Sequence, residues 1–229
     1  MNIIAIIPAK KNSKGLINKN LKKLDSKNLV ENAILCALKS KLVNNIFLTS
    51  DSNEILKIGK KYKINVIKRP KVLCSDGATA NEVIEHSLKT INEKFVNLRN
   101  SIIVYLQPTS PLRTSLDVQK SIKMFLSSKE KTILLSAYQE KNFFKSLVKK
   151  KNYFQPFFKN QNISENRQKL KNIFFPNGAI YVFQYEEFAK HKKLNFLKSI
   201  LYIMRKSSSI DIDNYDDYSL AKLIIKNSQ

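Results

Sequence analysis

Two groups of residues, near opposite ends of the 229-residue chain, carry the types that phosphate chemistry needs. The first is Ala9-Lys10-Lys11-Asn12-Ser13-Lys14-Gly15-Leu16-Ile17-Asn18-Lys19-Asn20. Lysines are point charges suited to phosphate, and loop N–H groups can cradle its oxygens. The second is Ser209-Ile210-Asp211-Ile212-Asp213. Read as a strand, it points Asp211 and Asp213 to one face and the isoleucines to the other. Two carboxylates on one face repel unless a cation lies between them. Oxygen ligands beside a phosphate group suggest Mg²⁺. Blander readings compete: a lysine-rich surface loop, and Asp213 as the cap of a helix over 214–227.

A third group is Gln107-Pro108-Thr109-Ser110-Pro111-Leu112-Arg113. Its two prolines make a rigid loop. Gln107, Thr109, Ser110 and Arg113 offer hydrogen bonds to a polyhydroxy, carboxylated ligand. The first loop is not a Walker A sequence, because Ser13-Lys14-Gly15 has the wrong order. It is not GxGxxG either, since Gly15 is its only glycine. Cys36 and Cys74 lack metal-ligand spacing and read as reduced thiols. His86 has no nucleophile placed beside it and reads as packing or surface.

The elements that must position these residues alternate. The apolar run at 3–7 suits a strand buried on both faces of a parallel sheet, ended by Pro8. Helical spacing follows at 29–39, a strand at 45–49, a helix at 54–62 and a strand at 64–67. A helix at 81–94, a strand at 101–106, a helix at 116–126 and a strand at 132–137 continue the series. This βαβαβ pattern predicts a three-layer α/β fold with a mostly parallel sheet. The loops at strand carboxyl ends are then where such a sheet puts its ligand. The pattern changes between 138 and 175, where a hairpin at 146–157 turns at Lys150-Lys151-Asn152. Asn177-Gly178 reads as a tight turn before a strand at 179–183, and 200–204 as a further strand. The division expected is one α/β domain, 1–137 and 176–229, interrupted by an excursion at 138–175.

Net charge is +23, from 41 basic and 18 acidic residues, and 43% of residues are hydrophobic. That composition favours a folded chain over a disordered one. The charge is spread as lysine along the chain, which favours solvated faces over a nucleic-acid footprint, though it would attract a phosphate-rich substrate. No apolar run approaches a membrane span and no secretory leader is evident, so a cytoplasmic protein is expected.

Four motifs, in order, resemble the CMP-sialic acid synthetases (acylneuraminate cytidylyltransferases). The first loop resembles the family's Ala-Arg-x-x-Ser-Lys-Gly-Leu/Ile-Pro-x-Lys-Asn, with Lys10 in place of arginine and Ile17 in place of proline. The proline-framed loop matches Leu-Gln-Pro-Thr-Ser-Pro-Leu-Arg almost unchanged. Pro176-Asn177-Gly178-Ala179-Ile180-Tyr181 and Ser209-Ile210-Asp211-Ile212-Asp213 complete the set. Phe175 stands where the family commonly has arginine.

The resemblance implies a Rossmann-like nucleotidyltransferase that couples CTP to a sialic-type nonulosonic acid, releasing pyrophosphate. A related legionaminic, pseudaminic or eight-carbon acid is the alternative, and a non-enzymatic nucleotide- or RNA-binding protein is the alternative from another class. On this carry-over Lys10, Lys14 and Lys19 hold the triphosphate with Ser13 and Asn20. Arg69 and the backbone of Ala78 to Ala80 hold cytosine, the competing reading there being a connecting loop. Gln107, Thr109, Ser110 and Tyr181 meet the sugar acid, and Asp211 and Asp213 bind Mg²⁺. The family also implies a homodimer in which the excursion reaches the partner's sugar pocket. Phe143, Phe144, Phe154, Phe157 and Phe158 would supply apolar surface, and Lys145 and Arg167 cations acting in trans. The competing reading of the excursion is a solvent-covered insert with its own small core. No general base is evident; a metal-lowered hydroxyl pKa can replace one.

Overall fold

The computed structural model describes residues 1–75, 77–129, 132–140, 142–158, 164, 168 and 172–227. β1 (Ile3–Pro8) lies inside a seven-stranded sheet. Its alternate residues feed two cores: Ile3, Ala5 and Ile7 on one face, Ile4 and Ile6 on the other. That is why an unbroken apolar run works here. Two short strands, β2 (Lys23–Leu24) and β3 (Lys27–Asn28), form a small ribbon that the periodicity did not predict. Then come α1 (Leu29–Lys39), β4 (Asn45–Ser50), α2 (Asn53–Lys61), β5 (Asn65–Lys68) and α3 (Ala80–Lys94). β6 (Ile102–Tyr105), α4 (Ser115–Ser127) and β7 (Ile133–Glu140) follow.

Helix starts are set by side-chain caps. Asn28 with Glu31, Thr79 with Glu82 and Thr114 with Asp117 form reciprocal capping boxes, and Ser52 caps α2. Each closes orphan N–H groups at the first turn.

The hairpin β8 (Leu147–Lys150) and β9 (Tyr153–Pro156) stands off the main sheet. β10 (Ile173–Gln184) re-enters it, then α5 (Tyr185–His191), β11 (Ile200–Ile203) and α6 (Tyr215–Lys226) end the fold. The sheet order is β11-β7-β10-β6-β1-β4-β5. β10 is antiparallel to both its neighbours; every other adjacent pair is parallel. The β7–β10 pairing runs out to Glu140 and back from Ile173.

Three expectations change. Asn177-Gly178 is not a turn between elements but a bulge inside β10, where the register with β7 shifts between Pro176 and Tyr181. Gly178 there has φ +71°, a left-handed conformation open to glycine. Residues 209–213 carry no regular secondary structure and join no sheet among the described residues, so the two aspartates are not placed by strand pairing. The cap of α6 is Asn214, in a box with Asp217, rather than Asp213.

A third small core packs Leu16, Leu24, Leu29, Ile212 and Ala221 together. Leu16 belongs to the lysine loop, and Ile212 lies between the two aspartates. Apolar burial of these two residues thus brings the two chemical groups to one end of the sheet.

Candidate active site

At the carboxyl ends of β1, β5 and β6 lies a cleft of about 270 Å³. Lys10, Ser13, Lys19 and Asn20 from the first loop line it. So do Arg69, Ala78, Ala80, Gln107, Thr109, Asp211 and Asp213. Lys14 is exposed and is not among the residues lining this cleft.

Backbone contacts seat the first loop. Ala9 N–H donates to the Thr49 carbonyl at 3.0 Å and Lys11 N–H to Asp51 Oδ1 at 2.8 Å. Asn20 Nδ2 donates to the Lys10 carbonyl at 2.8 Å, and its Oδ1 is buried without a partner. Arg69 is buried, with one guanidinium N–H donating to the Thr49 carbonyl at 2.8 Å. Thr79 is engaged as the cap of α3, donating to Glu82 Oε2 at 2.8 Å.

The two aspartates are held from several sides. Ile212 N–H donates to the Thr109 carbonyl at 2.8 Å, and Asp213 N–H to Asp217 Oδ2 at 3.0 Å. Lys19 Nζ donates to Asp213 Oδ1 at 2.9 Å. Asp211 Oδ1 is buried without a hydrogen-bond partner among the described residues. Burial pushes the Asp211 carboxyl above the ordinary aspartate range, against a hydrogen bond with Thr109 that lowers it. The Asp213 and Asp217 charges push it further up, and the Lys19 ammonium opposes them.

A second cleft, of about 560 Å³, adjoins the first through Gln107 and Asp211, which line both. Its other walls include Tyr138, Pro176, Tyr181, Asp217 and Leu220. Gly178 lies at this junction: a Cβ there would meet Gln107 Oε1 at 2.7 Å and Asp211 Oδ2 at 3.4 Å. No lysine or arginine is among the described residues lining the second cleft.

Two of the polar residues expected to meet a sugar acid are instead buried behind the clefts and line neither. Ser110 is fully buried and lines neither cleft; its Oγ donates to the Asn177 carbonyl at 3.4 Å. Arg113 is also buried, its Nη1 donating to the carbonyls of Ala179 at 2.6 Å and Gln107 at 3.0 Å. Asn177 is the hub of a buried network. Its Oδ1 accepts from Ser136 Oγ at 2.6 Å and its Nδ2 donates to Ser209 Oγ at 2.8 Å. β7, the β10 bulge and the aspartate segment are thereby fixed together.

Sequence reasoning missed Tyr105, the last residue of β6, which lines the first cleft and packs edge-on against Tyr181 at 6.3 Å. Its position two residues before Gln107, at a strand end, was the available signal. Lys145 lies in a short 3-10 turn before β8 and lines neither cleft of its own chain. Arg167 lies outside the described residues. On the excursion, Phe143, Phe144, Phe157 and Phe158 contact one another, and Phe143 meets Phe175 at 4.9 Å. Phe175 also stacks on Tyr138 at 5.9 Å, so it packs rather than binds. Phe154 and Phe157 remain exposed.

A sequence profile described as "Cytidylyltransferase" matches residues 4–225. The chain belongs to the cytidylyltransferase family. It is 32% identical over 96% of its length to the N-acylneuraminate cytidylyltransferase of Escherichia coli O18:K1:H7 (strain RS218), of which it spans 51%. It is 26% identical, over 100% of its own length and 98% of the relative's, to the CMP-N,N'-diacetyllegionaminic acid synthase of Legionella pneumophila subsp. pneumophila (strain Philadelphia 1). Among solved structures it resembles a CMP-2-keto-3-deoxy-manno-octonic acid synthetase complexed with CTP, with a TM-score of 0.73 at 12% identity and both chains fully covered. That last likeness shows the fold. The chain thus spans about half the length of its 32%-identical relative, while the CMP-sialic acid synthetase resemblance of its four motifs is upheld.

Proposed function

We propose that the chain transfers CMP from CTP to the anomeric hydroxyl of a sialic-type nonulosonic acid, of which an N-acylneuraminate is the first expectation. The observation that carries this reading is the pair of clefts meeting at Gln107 and Asp211. The first is edged by lysines and suits a nucleoside triphosphate. The second has the size and the aromatic and polar walls for a sugar acid.

The sugar hydroxyl oxygen forms a bond to the α-phosphorus as the bond to the β-phosphate bridging oxygen breaks, pyrophosphate leaves, and the hydroxyl proton passes to solvent water. Lys10 and Lys19, with Ser13 and Asn20, hold the triphosphate, and Lys14 adds charge. Arg69 and the backbone at Ala78 to Ala80 read cytosine. Gln107, Thr109 and Tyr181 orient the sugar acid. Positioning and charge neutralisation supply the rate.

Asp211 and Asp213 suit Mg²⁺. The buried, unpartnered Asp211 Oδ1 and a second carboxylate in the same cleft fit an ion that takes one or two carboxylates and substrate phosphate oxygens. Such a fit needs no larger ligand cluster, and none of three or more His, Cys, Asp or Glu occurs among the described residues. When bound, the ion neutralises phosphate charge and lowers the pKa of the attacking hydroxyl.

The sugar's carboxylate needs a cation. In this chain the described walls of the second cleft offer Asp211 and Asp217 but no lysine or arginine. This supports a homodimer in which Lys145 and Arg167 of one subunit serve the other's cleft, with the exposed Phe154 and Phe157 at the interface. The reaction is proposed to run in the cytoplasm, where CTP is supplied. No described helix is long and apolar enough to cross a membrane.

Pyrophosphate release with CTP is the test, measured against neuraminic, legionaminic, pseudaminic and eight-carbon ulosonic acids. Release with at least one nine-carbon acid is expected. No release with any of them contradicts the proposal.

A further inference from the structure

The pairing of Lys19 with Asp213 joins two groups that the reaction needs for different partners. Lys19 is 8% exposed although its charge faces a cleft, while the Asp213 side chain is 75% exposed. The pair is built into the backbone rather than formed by two wandering side chains. Lys19 starts a 3-10 turn, its N–H donating to the Leu16 carbonyl at 3.1 Å. Asp213 is fixed through its N–H to Asp217, and its carbonyl packs against Gly15 so closely that a Cβ there would lie 2.2 Å away.

We infer that Lys19 is the resident counter-cation of Asp213, and that a divalent ion gains this carboxylate by displacing the ammonium when the nucleotide arrives. The inference rests on the reading of Asp211 and Asp213 as metal ligands. An ammonium at hydrogen-bond distance from a carboxylate repels a dication approaching the same oxygens. A triphosphate in the same cleft gives Lys19 a new anionic partner, and the ion then meets both aspartates together with phosphate oxygens. Metal and nucleotide therefore bind interdependently. Without nucleotide, the ammonium keeps the second aspartate neutralised, while Asp211 Oδ1 is left without a partner.

Mn²⁺ serves as the probe, its binding followed by the electron paramagnetic resonance signal of the free ion. Four proteins are compared: wild type, Lys19→Gln, Lys19→Met and Asp213→Asn. Wild type should take up Mn²⁺ weakly alone and at least about tenfold more tightly with CTP, after correction for ion held by free CTP. Both Lys19 variants should bind Mn²⁺ alone about tenfold more tightly than wild type. Asp213→Asn should lose the CTP-dependent uptake. Equal nucleotide-free affinity in wild type and the Lys19 variants overturns the inference. If both variants fail to fold, equal Mn²⁺ affinity with and without CTP in wild type overturns it instead. Retained Mn²⁺ uptake with CTP in Asp213→Asn removes the metal-ligand reading itself. Its loss, with unaltered Lys19 variants, sinks only the displacement.

Discussion

Lys19 Nζ lies 2.9 Å from Asp213 Oδ1, across 194 residues of sequence. The pair holds the lysine loop and the aspartate segment at one mouth, and Leu16 and Ile212 bury beneath it in a shared core. The site is therefore assembled by packing between the two ends of the chain, with the central sheet as its floor.

Gly15 is where that assembly is tightest. A methyl group there would lie 2.2 Å from the Asp213 carbonyl oxygen, a backbone atom that can yield only by moving the segment. Gly15→Ala should cost about 1–3 kcal/mol in urea unfolding. It should also raise the KM for CTP. Unchanged stability and unchanged KM together would show that the two segments separate freely.

Asp211→Asn and Asp213→Asn should each cut turnover severely while leaving the fold intact, through loss of a proposed metal ligand. Asp211 adds a sign to this. Its carboxyl is pushed up mainly by burial, so its ionised form costs the metal-free protein stability at neutral pH. Asp211→Asn should then be at least as stable as wild type by thermal unfolding without Mg²⁺. An unfolded Asp211→Asn protein would make the residue structural.

Asn177→Ala strips partners from Ser136, Ser209 and the Ala179 N–H at once. Buried polar groups left unpaired cost about 1–3 kcal/mol. The urea midpoint should fall accordingly, and the KM for the sugar acid should rise because the network sets Gly178 and the aspartate segment. A large KM rise with an unmoved midpoint would mean that Asn177 touches substrate directly.

Glu31 gives the acid side of the stability curve. Burial pushes its carboxyl up, but the Asn28 N–H, the Tyr62 hydroxyl and Lys61 together outweigh that and hold it below the ordinary range. Its contribution is therefore full above the unfolded value of about 4.3 and is lost as pH falls from there through the lower folded value. Glu31→Gln should be less stable than wild type at pH 7 and lose less on acidification below about pH 4. Parallel acid slopes for the two proteins would remove Glu31 from the account.

The excursion is tested by mixing two inactive proteins, Arg167→Ala and Asp211→Asn, under conditions that let subunits exchange. On the proposed homodimer, a mixed pair has one site with an intact aspartate and an intact arginine from the neighbour, so activity should return. A mixture that exchanges and stays inactive places Arg167 outside any role across the interface.

Much of this fold could be read from the chain because local signals agreed with tertiary structure. The alternate burial of Ile3 to Ile7 and the caps at Asn28, Ser52 and Thr79 set elements that stand within a residue or two of their expected positions. The failures have a common cause. Ser110 and Arg113 look like ligand groups because hydrogen-bonding capacity is visible in sequence and burial is not. Asn177-Gly178 reads as a turn because a bulge asks for the same residues. The Lys19–Asp213 contact has no local trace at all, since it depends on which loop the last helix packs beside. α5 was missed because only Phe188 of its seven residues is buried, too little for an apolar period.

The most direct measurement is the fate of labelled nucleotide. CTP carrying ³²P at the α-phosphate is incubated with Mg²⁺ and a nonulosonic acid, with equally labelled UTP alongside. The label should appear in a CMP-sugar, with kcat/KM for CTP well above that for UTP. Cytosine and uracil exchange donor for acceptor at the base edge that Arg69 and the Ala78 to Ala80 backbone are proposed to read. Label remaining in CTP with every nonulosonic acid, or passing equally from UTP, would contradict the account.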